Sequence, residues 1–322
     1  MRRAESNINR LPELEPLLHE VERQFPAEAA GFVCALSQVS DAWQTARREG
    51  RPLPRSLLTP GGYPMEINER SDSRELCWTA EPALPGAPIE AQLPRVLQHT
   101  GINLAADKTL SVFLQQPSPR FGCWMSLRHS VDGVAGKAYL EAGPQTHPHF
   151  LEGLHRIAPT LPESFSFVPM LAGIYPGVAG VSEYYGLLPN PNARSLHILF
   201  GACAVRAHLP LALCLLAELA SVQTNDLLQR IRLGASLRAQ GSKPPALTLF
   251  VHAPQIFESN VQARTRILSL ALQLGGKLPL YEALSASLVD NAVDAPLHSV
   301  VSLKIGAKGL SCSVGYSPAA LP

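Results

Sequence analysis

Three stretches of this chain set ionisable and hydroxyl side chains on one face of a strand. Lys137, Tyr139 and Glu141 alternate with Ala138, Leu140 and Ala142. Arg230, Arg232 and Ser236 alternate with Ile231, Leu233 and Leu237, and Ser302 and Lys304 stand opposite Val301, Leu303 and Ile305. Successive side chains of a strand point to opposite faces, so each polar set shares one side of its sheet. Such a row lines an enclosed interior or meets solvent. The chain also holds several helical segments that need an apolar sheet face to pack on, and this turns the polar sets inward. The cations Lys137, Arg230, Arg232 and Lys304 then converge on one lumen, with Glu66 and His197 on other candidate strands as side-chain types suited to acid–base work. His147 and His149 flank Pro148 without further ligands nearby in sequence, which argues against zinc. No Gly-x-Gly-x-x-Gly, phosphate-binding Walker loop or Gly-x-Ser-x-Gly elbow is present.

The elements that must carry these residues recur. Five times, helix-like stretches are followed by two strand-like runs joined by a short turn. The strand pairs are read at 65–70 with 76–82, 123–130 with 136–142, 178–188 with 194–201, 230–237 with 246–252, and 299–305 with 310–316. The pairs return about every 60 residues, the mark of an architecture built from one supersecondary unit. Helices are read at 9–23, 27–48, 89–99, 104–114, 149–157, 209–221, 255–274 and 280–288. No unit can bury its apolar face alone. The expected fold is α+β: a ten-stranded antiparallel barrel built from five ααββ repeats and ringed by helices, with residues 1–322 in one domain.

Composition bounds the remaining function classes. Of 322 residues, 46% are hydrophobic and 16% charged, which fits a globular chain, and the net charge of +1 marks no nucleic-acid or anionic-membrane partner. The N-terminal stretch with Arg2, Arg3, Glu5 and Asn7 lacks the apolar core of a secretory signal. The longest apolar segment, 209–219, contains Glu218 and reads as a buried helix, not a membrane span. Six cysteines without Cys-x-x-Cys spacing read as free thiols in a reducing compartment, so a cytoplasmic location is expected. Asp290-Asn-Ala-Val-Asp294 has the look of an acidic metal motif, but with no second such motif it reads as a polar loop or helix end.

Short motifs in the expected hairpins resemble a known family. Leu58-Thr-Pro-Gly-Gly-Tyr-Pro-Met-Glu66-Ile-Asn68, followed by Leu76-Cys-Trp-Thr-Ala-Glu-Pro82, resembles the first strand pair of the ABBA-fold aromatic prenyltransferases, of the dimethylallyltryptophan-synthase type and its bacterial phenol and indole relatives. Trp124-Met-Ser-Leu-Arg128-His-Ser and Gly136-Lys137-Ala-Tyr139-Leu resemble the second pair, whose returning strand carries Lys-x-Tyr. Ala193-Arg194-Ser-Leu-His197-Ile-Leu-Phe200 and 300–316 look like weaker counterparts of the third and fifth.

The resemblance implies transfer of an allylic prenyl group from its diphosphate to an aromatic acceptor inside the lumen, without cofactor or metal. Charge builds on the departing oxygens, so cations and hydroxyl donors must surround them. The resemblance assigns this to Lys137, Tyr139, Arg230, Arg232 and Lys304, Arg giving bidentate and Lys point-charge contacts. It assigns the aromatic faces that shield the allyl cation to Trp78, Trp124, Tyr184 and Tyr185, and catalysis to Glu66 and His197. A cation near Glu66 is expected to keep it ionised at neutral pH. The chain departs from the family pattern at Cys77 in place of an Arg, at His197 in place of a Lys, and at Leu199, Phe250 and Gly315 in place of tyrosines. The diphosphate cage is therefore thinned. Two other readings stay open on the same barrel: acid–base chemistry (cyclisation or isomerisation) on an isoprenoid or polycyclic substrate, and non-catalytic binding of a hydrophobic ligand.

Overall fold

Ten strands form a barrel with no free edge. The computed structural model describes residues 11–103, 113, 119–178, 181–288 and 295–319. Asp290, Asp294 and all but one residue of the expected helix at 104–114 lie outside these. The strands are β1 (Met65–Arg70), β2 (Leu76–Ala80), β3 (Cys123–Ser130), β4 (Gly133–Glu141), β5 (Val168–Ile174), β6 (Glu183–Leu187), β7 (Gly234–Gln240), β8 (Lys243–His252), β9 (His298–Gly306) and β10 (Gly309–Tyr316). Each pairs antiparallel with its sequence neighbours, and β1 closes on β10 with Ile67 opposite Tyr316 and Arg70 opposite Ser313. Closure satisfies every strand edge within the sheet.

Alternation then separates two environments. Met65, Ile67, Trp78, Met125, Leu140, Leu237, Leu249 and Leu303 point outward and are almost fully buried. They form one apolar cluster with the inner faces of the surrounding helices. The protein's core is therefore the annulus between barrel and helices, and the barrel interior is left to polar side chains.

Helix sequence supplies the other half of that annulus. In α1 (Glu15–Gln24), Leu17 and Val21 lie one turn apart and are buried. In α2 (Ala29–Val39), Phe32 sits edge-on to Trp78 of β2, with ring centres 5.5 Å apart. The helix Asn260–Gln273 starts where Ser259 accepts a hydrogen bond from the Gln262 amide, and it buries Ala263, Ile267 and Leu270. Glu69, on the outer face of β1, accepts from the Leu280 and Tyr281 amides at 3.1 and 2.6 Å and so pins the helix Pro279–Leu284 to the barrel. No helix among the described residues is long and apolar enough to cross a membrane.

Two expected hairpins differ. The third is β5 with β6, not 178–188 with 194–201. Residues Ala193–Ala202 are a helix because Asn192 and Ser195 form a reciprocal capping box, with both side-chain-to-amide contacts at 2.9 Å. Leu196, Leu199 and Phe200 then share one helical face against the core. In the fourth hairpin, Leu227–Arg230 forms a helical turn, and β7 begins only at Gly234.

The annular core makes a stability prediction. Phe32→Ala, which empties a fully buried site against Trp78 and His129, should cost about 3–5 kcal/mol in urea unfolding. Leu272→Ala, on the exposed side of the helix Asn260–Gln273, should stay within about 0.5 kcal/mol of the parent. Equal costs for the two would contradict a core placed outside the barrel.

Candidate active site

The lumen is a cavity of about 1100 Å³ lined by inward side chains from all ten strands. Among the described residues, seven Arg and Lys side chains reach it: Arg55, Arg70, Arg120, Arg128, Lys137, Arg238 and Lys304. Trp124, Phe121, Tyr139, Tyr175, Tyr185 and Phe250 supply aromatic surface, with Phe121 stacked on Trp124 at 4.1 Å between ring centres.

Glu66 projects inward from β1 and is 8% exposed. Ser299 of β9 donates a short hydrogen bond to its Oε2. Gly315 of β10 makes this possible, because a Cβ there would stand 2.2 Å from the Ser299 hydroxyl and 2.8 Å from Glu66 Oε2. Gly315 thus gives Glu66 its room. Burial pushes the Glu66 carboxyl up to about 7, against hydrogen bonds from Ser299 and Asn68 that favour the anion. No cation among the described residues contributes to this balance, so the expectation of a firmly ionised Glu66 at neutral pH does not hold; the group is poised to gain or lose a proton there.

Lys137 of β4 occupies a second, very different environment. Its ammonium stands 2.6 Å from Glu183 Oε2 and donates to the Tyr185 hydroxyl. Three rings surround the nitrogen, with centres at 4.2 Å for Tyr139, 4.7 Å for Tyr185 and 5.3 Å for Tyr175. Glu183 also accepts from the Tyr175 hydroxyl at 2.7 Å and from Ser236 at 3.3 Å. Gly173 of β5 admits the pair, since a Cβ there would lie 2.9 Å from Lys137 Cε. Burial opposes both charges, but each holds the other: Lys137 lies above the ordinary lysine range and Glu183 below the ordinary carboxylate range.

A third group lies along the strands toward the β1–β2 turn. Arg70 pairs with Asp72 at 2.9 Å, and Arg128 is 3.6 Å from Glu75. Lys304 and Arg238 have no carboxylate within ion-pair distance among the described residues. Burial lowers the Lys304 ammonium, and Arg70, Arg238 and Arg128 lower it further while Asp72 opposes them. A half-buried lysine destabilised by surrounding cations forms a ready site for an anion.

The structure gathers Glu66, Lys137, Tyr139, Lys304, Trp124 and Tyr185 in the lumen, as expected. Five expected residues lie elsewhere. Arg230 ends a helical turn, with a 65% exposed side chain 3.8 Å from Asp226, and Arg232 is exposed ahead of β7. His197 is exposed on the helix Ala193–Ala202. Trp78 faces outward and donates from Nε1 to His129 Nε2 at 3.0 Å. Tyr184 also faces outward, edge-on to Phe150 at 5.0 Å. Sequence reasoning placed Ser236 on the inward face, as the structure does, but missed Arg238, Glu183 and Tyr175. Strand parity carried the signal for Arg238 once β7 is extended past residue 237 to Gln240, because Ser236 and Arg238 then share the inward face.

A second buried carboxyl holds two of the lining residues. Glu81 Oε1 accepts from Ser56 at 2.8 Å and from the Trp124 indole at 2.9 Å, which fixes that ring. Burial pushes Glu81 up to about 7.

No protein-family model matches the sequence, and no curated protein matches it. Solved structures do. The chain is similar to 6-dimethylallyltryptophan synthase from Micromonospora olivasterospora, crystallised with DMASPP and Trp: TM-score 0.71, 16% identity, covering 96% of this chain and 97% of that one. It is similar to 5-dimethylallyltryptophan synthase from Streptomyces coelicolor, with TM-score 0.68, 14% identity and 95% coverage of both chains. AnaPT from Neosartorya fischeri matches with TM-score 0.64 and 11% identity, over 96% of this chain and 92% of that one. At such identities the likeness is one of architecture: the chain has the closed ten-stranded barrel of the ABBA-fold aromatic prenyltransferases.

Proposed function

We propose that this chain is an aromatic prenyltransferase that moves an allylic prenyl group from its diphosphate to an aromatic small molecule within the lumen. One observation carries the reading: a single cavity holds a cation cluster without full internal pairing, a buried carboxylate and a set of aromatic side chains. Lys304, Arg238 and Arg128 bind the diphosphate and stabilise charge on the departing oxygen as the allylic C–O bond ionises. These side chains supply the positive charge that a metal would otherwise bring, so the reaction needs none. The rings of Tyr139, Tyr185, Trp124 and Phe250 shield the allyl cation from water and stabilise it through their faces. An aromatic carbon of the acceptor attacks the cation, and Glu66 receives the proton released as aromaticity returns. Likeness to barrels crystallised with DMASPP and Trp supports a dimethylallyl donor and an indole acceptor as the first pair to try. The closed barrel, residues 1–322 as one domain, is the catalytic unit.

The reading is tested by incubating the protein with dimethylallyl, geranyl or farnesyl diphosphate and a panel of indoles and phenols, with EDTA present, and assaying products by mass spectrometry. Prenylated product that survives chelation is expected; no product from any pair would overturn the reading. Glu66→Gln should keep diphosphate binding but lose about 10²–10⁴ in single-turnover rate. Near-parental turnover would remove Glu66 from catalysis. Because the base must be ionised, the parental rate at saturating donor should fall as pH drops through about 7 and level off above it. A rate flat from pH 5 to 9 would assign the proton to another acceptor.

A further inference from the structure

Lys137 is the lumen cation with the most complete set of internal partners. Its ammonium is spent on Glu183 and Tyr185, and Glu183 in turn collects the Tyr175 and Ser236 hydroxyls. A cation, a phenol and a serine hydroxyl are the donor set that a phosphate oxygen requires. Here one carboxylate, built into β6, takes all three. Gly173 shows that the fold accommodates the pair at close quarters, since any side chain at that position would press on Lys137 Cε and Glu183 Cβ.

We propose that Glu183 is an internal counter-anion that stands in for a phosphate group at Lys137, so that the diphosphate is held by Lys304, Arg238 and Arg128 instead. The inference rests on the diphosphate reading given above and adds a specificity-determining residue to it. An incoming anion gains little at Lys137, where it would have to displace a carboxylate already held by three donors. It gains more at Lys304 and Arg238, neither of which has a described carboxylate within ion-pair distance. Glu183 thereby sets both where the charged end of the donor lies and how tightly it binds.

The probe is inorganic pyrophosphate, titrated calorimetrically at pH 7.5. Glu183→Gln should tighten binding about tenfold or more, by releasing a charged donor of the kind that contributes strongly to anion binding. Unchanged or weaker binding would overturn the proposal, because Glu183 would then be orienting Lys137 for the ligand. Should Glu183→Gln fail to fold, the charge-neutral double variant Lys137→Met/Glu183→Gln decides. It removes the pair together, a change that buried ion pairs often tolerate. Its pyrophosphate affinity should stay within about threefold of the parent, whereas Lys304→Ala should lose about tenfold. A tenfold loss in the double variant would return the phosphate to Lys137 and sink the proposal. Prenylated product alongside that loss would sink this inference alone, while absence of both product and pyrophosphate binding in the parent and in Glu183→Gln would sink the prenyltransferase reading with it.

Discussion

A polar cavity of this size can exist inside a small protein only if the apolar core is somewhere else. Here the closed sheet provides the separation. Each strand sends alternate side chains to opposite faces, and the closed ring leaves no edge at which the faces mix. Outward residues such as Trp78, Leu237 and Leu303 have the helices to pack against; inward residues such as Glu66, Ser236 and Lys304 have only one another and water. The rigidity of the interior is thus provided by packing on the far side of a single layer of backbone, which holds charged groups in place without surrounding them with hydrocarbon.

Within that interior, two carboxylates of the same chemistry are driven to opposite states by their neighbours. Glu66 has hydrogen-bond donors but no cation among the described residues beside it, so burial dominates and its proton affinity rises. Glu183 has Lys137 at 2.6 Å, so it remains an anion. Pairs of titratable groups pushed apart by environment are a common way of dividing acid–base from electrostatic roles. In both cases a glycine on an adjacent strand creates the space. Gly315 admits the Glu66–Ser299 contact, and Gly173 admits Lys137 beside Glu183. Missing side chains shape this site as much as present ones.

Much of this was legible in the sequence. The hairpins of β1–β2, β3–β4 and β9–β10 were readable because polar and apolar residues alternate cleanly between turn signals, and the inward positions of Lys137, Tyr139 and Lys304 followed from that alternation. The third hairpin was not. β5 reads Val-Pro-Met-Leu-Ala-Gly-Ile, an apolar run with a proline beside a register shift, and its partner β6 has five residues. In 194–201, Leu196, Ile198 and Phe200 alternate as a strand would, while Leu196, Leu199 and Phe200 match a helix. The Asn192–Ser195 cap resolves the tie, and it was visible. Arg230 and Arg232 have the parity of Ser236 and Arg238 but precede the first residue of the strand, and parity has no meaning outside one. The Lys137–Glu183 pair joins residues 46 positions apart on strands that are not neighbours. Strand alternation alone could not have matched them.

The pairing of β1 with β10 ties the first strand of the barrel to the last. Ile67 meets Tyr316 and Glu69 meets Val314, so the contact that shuts the ring spans most of the chain. During synthesis, β1 emerges with one edge unpaired and waits for some 240 residues before its partner leaves the ribosome. Contacts of such long separation slow folding and lengthen the exposure of open sheet edges. Expression at lowered temperature or with chaperones that shield strand edges should therefore affect the yield of this protein more than its equilibrium stability.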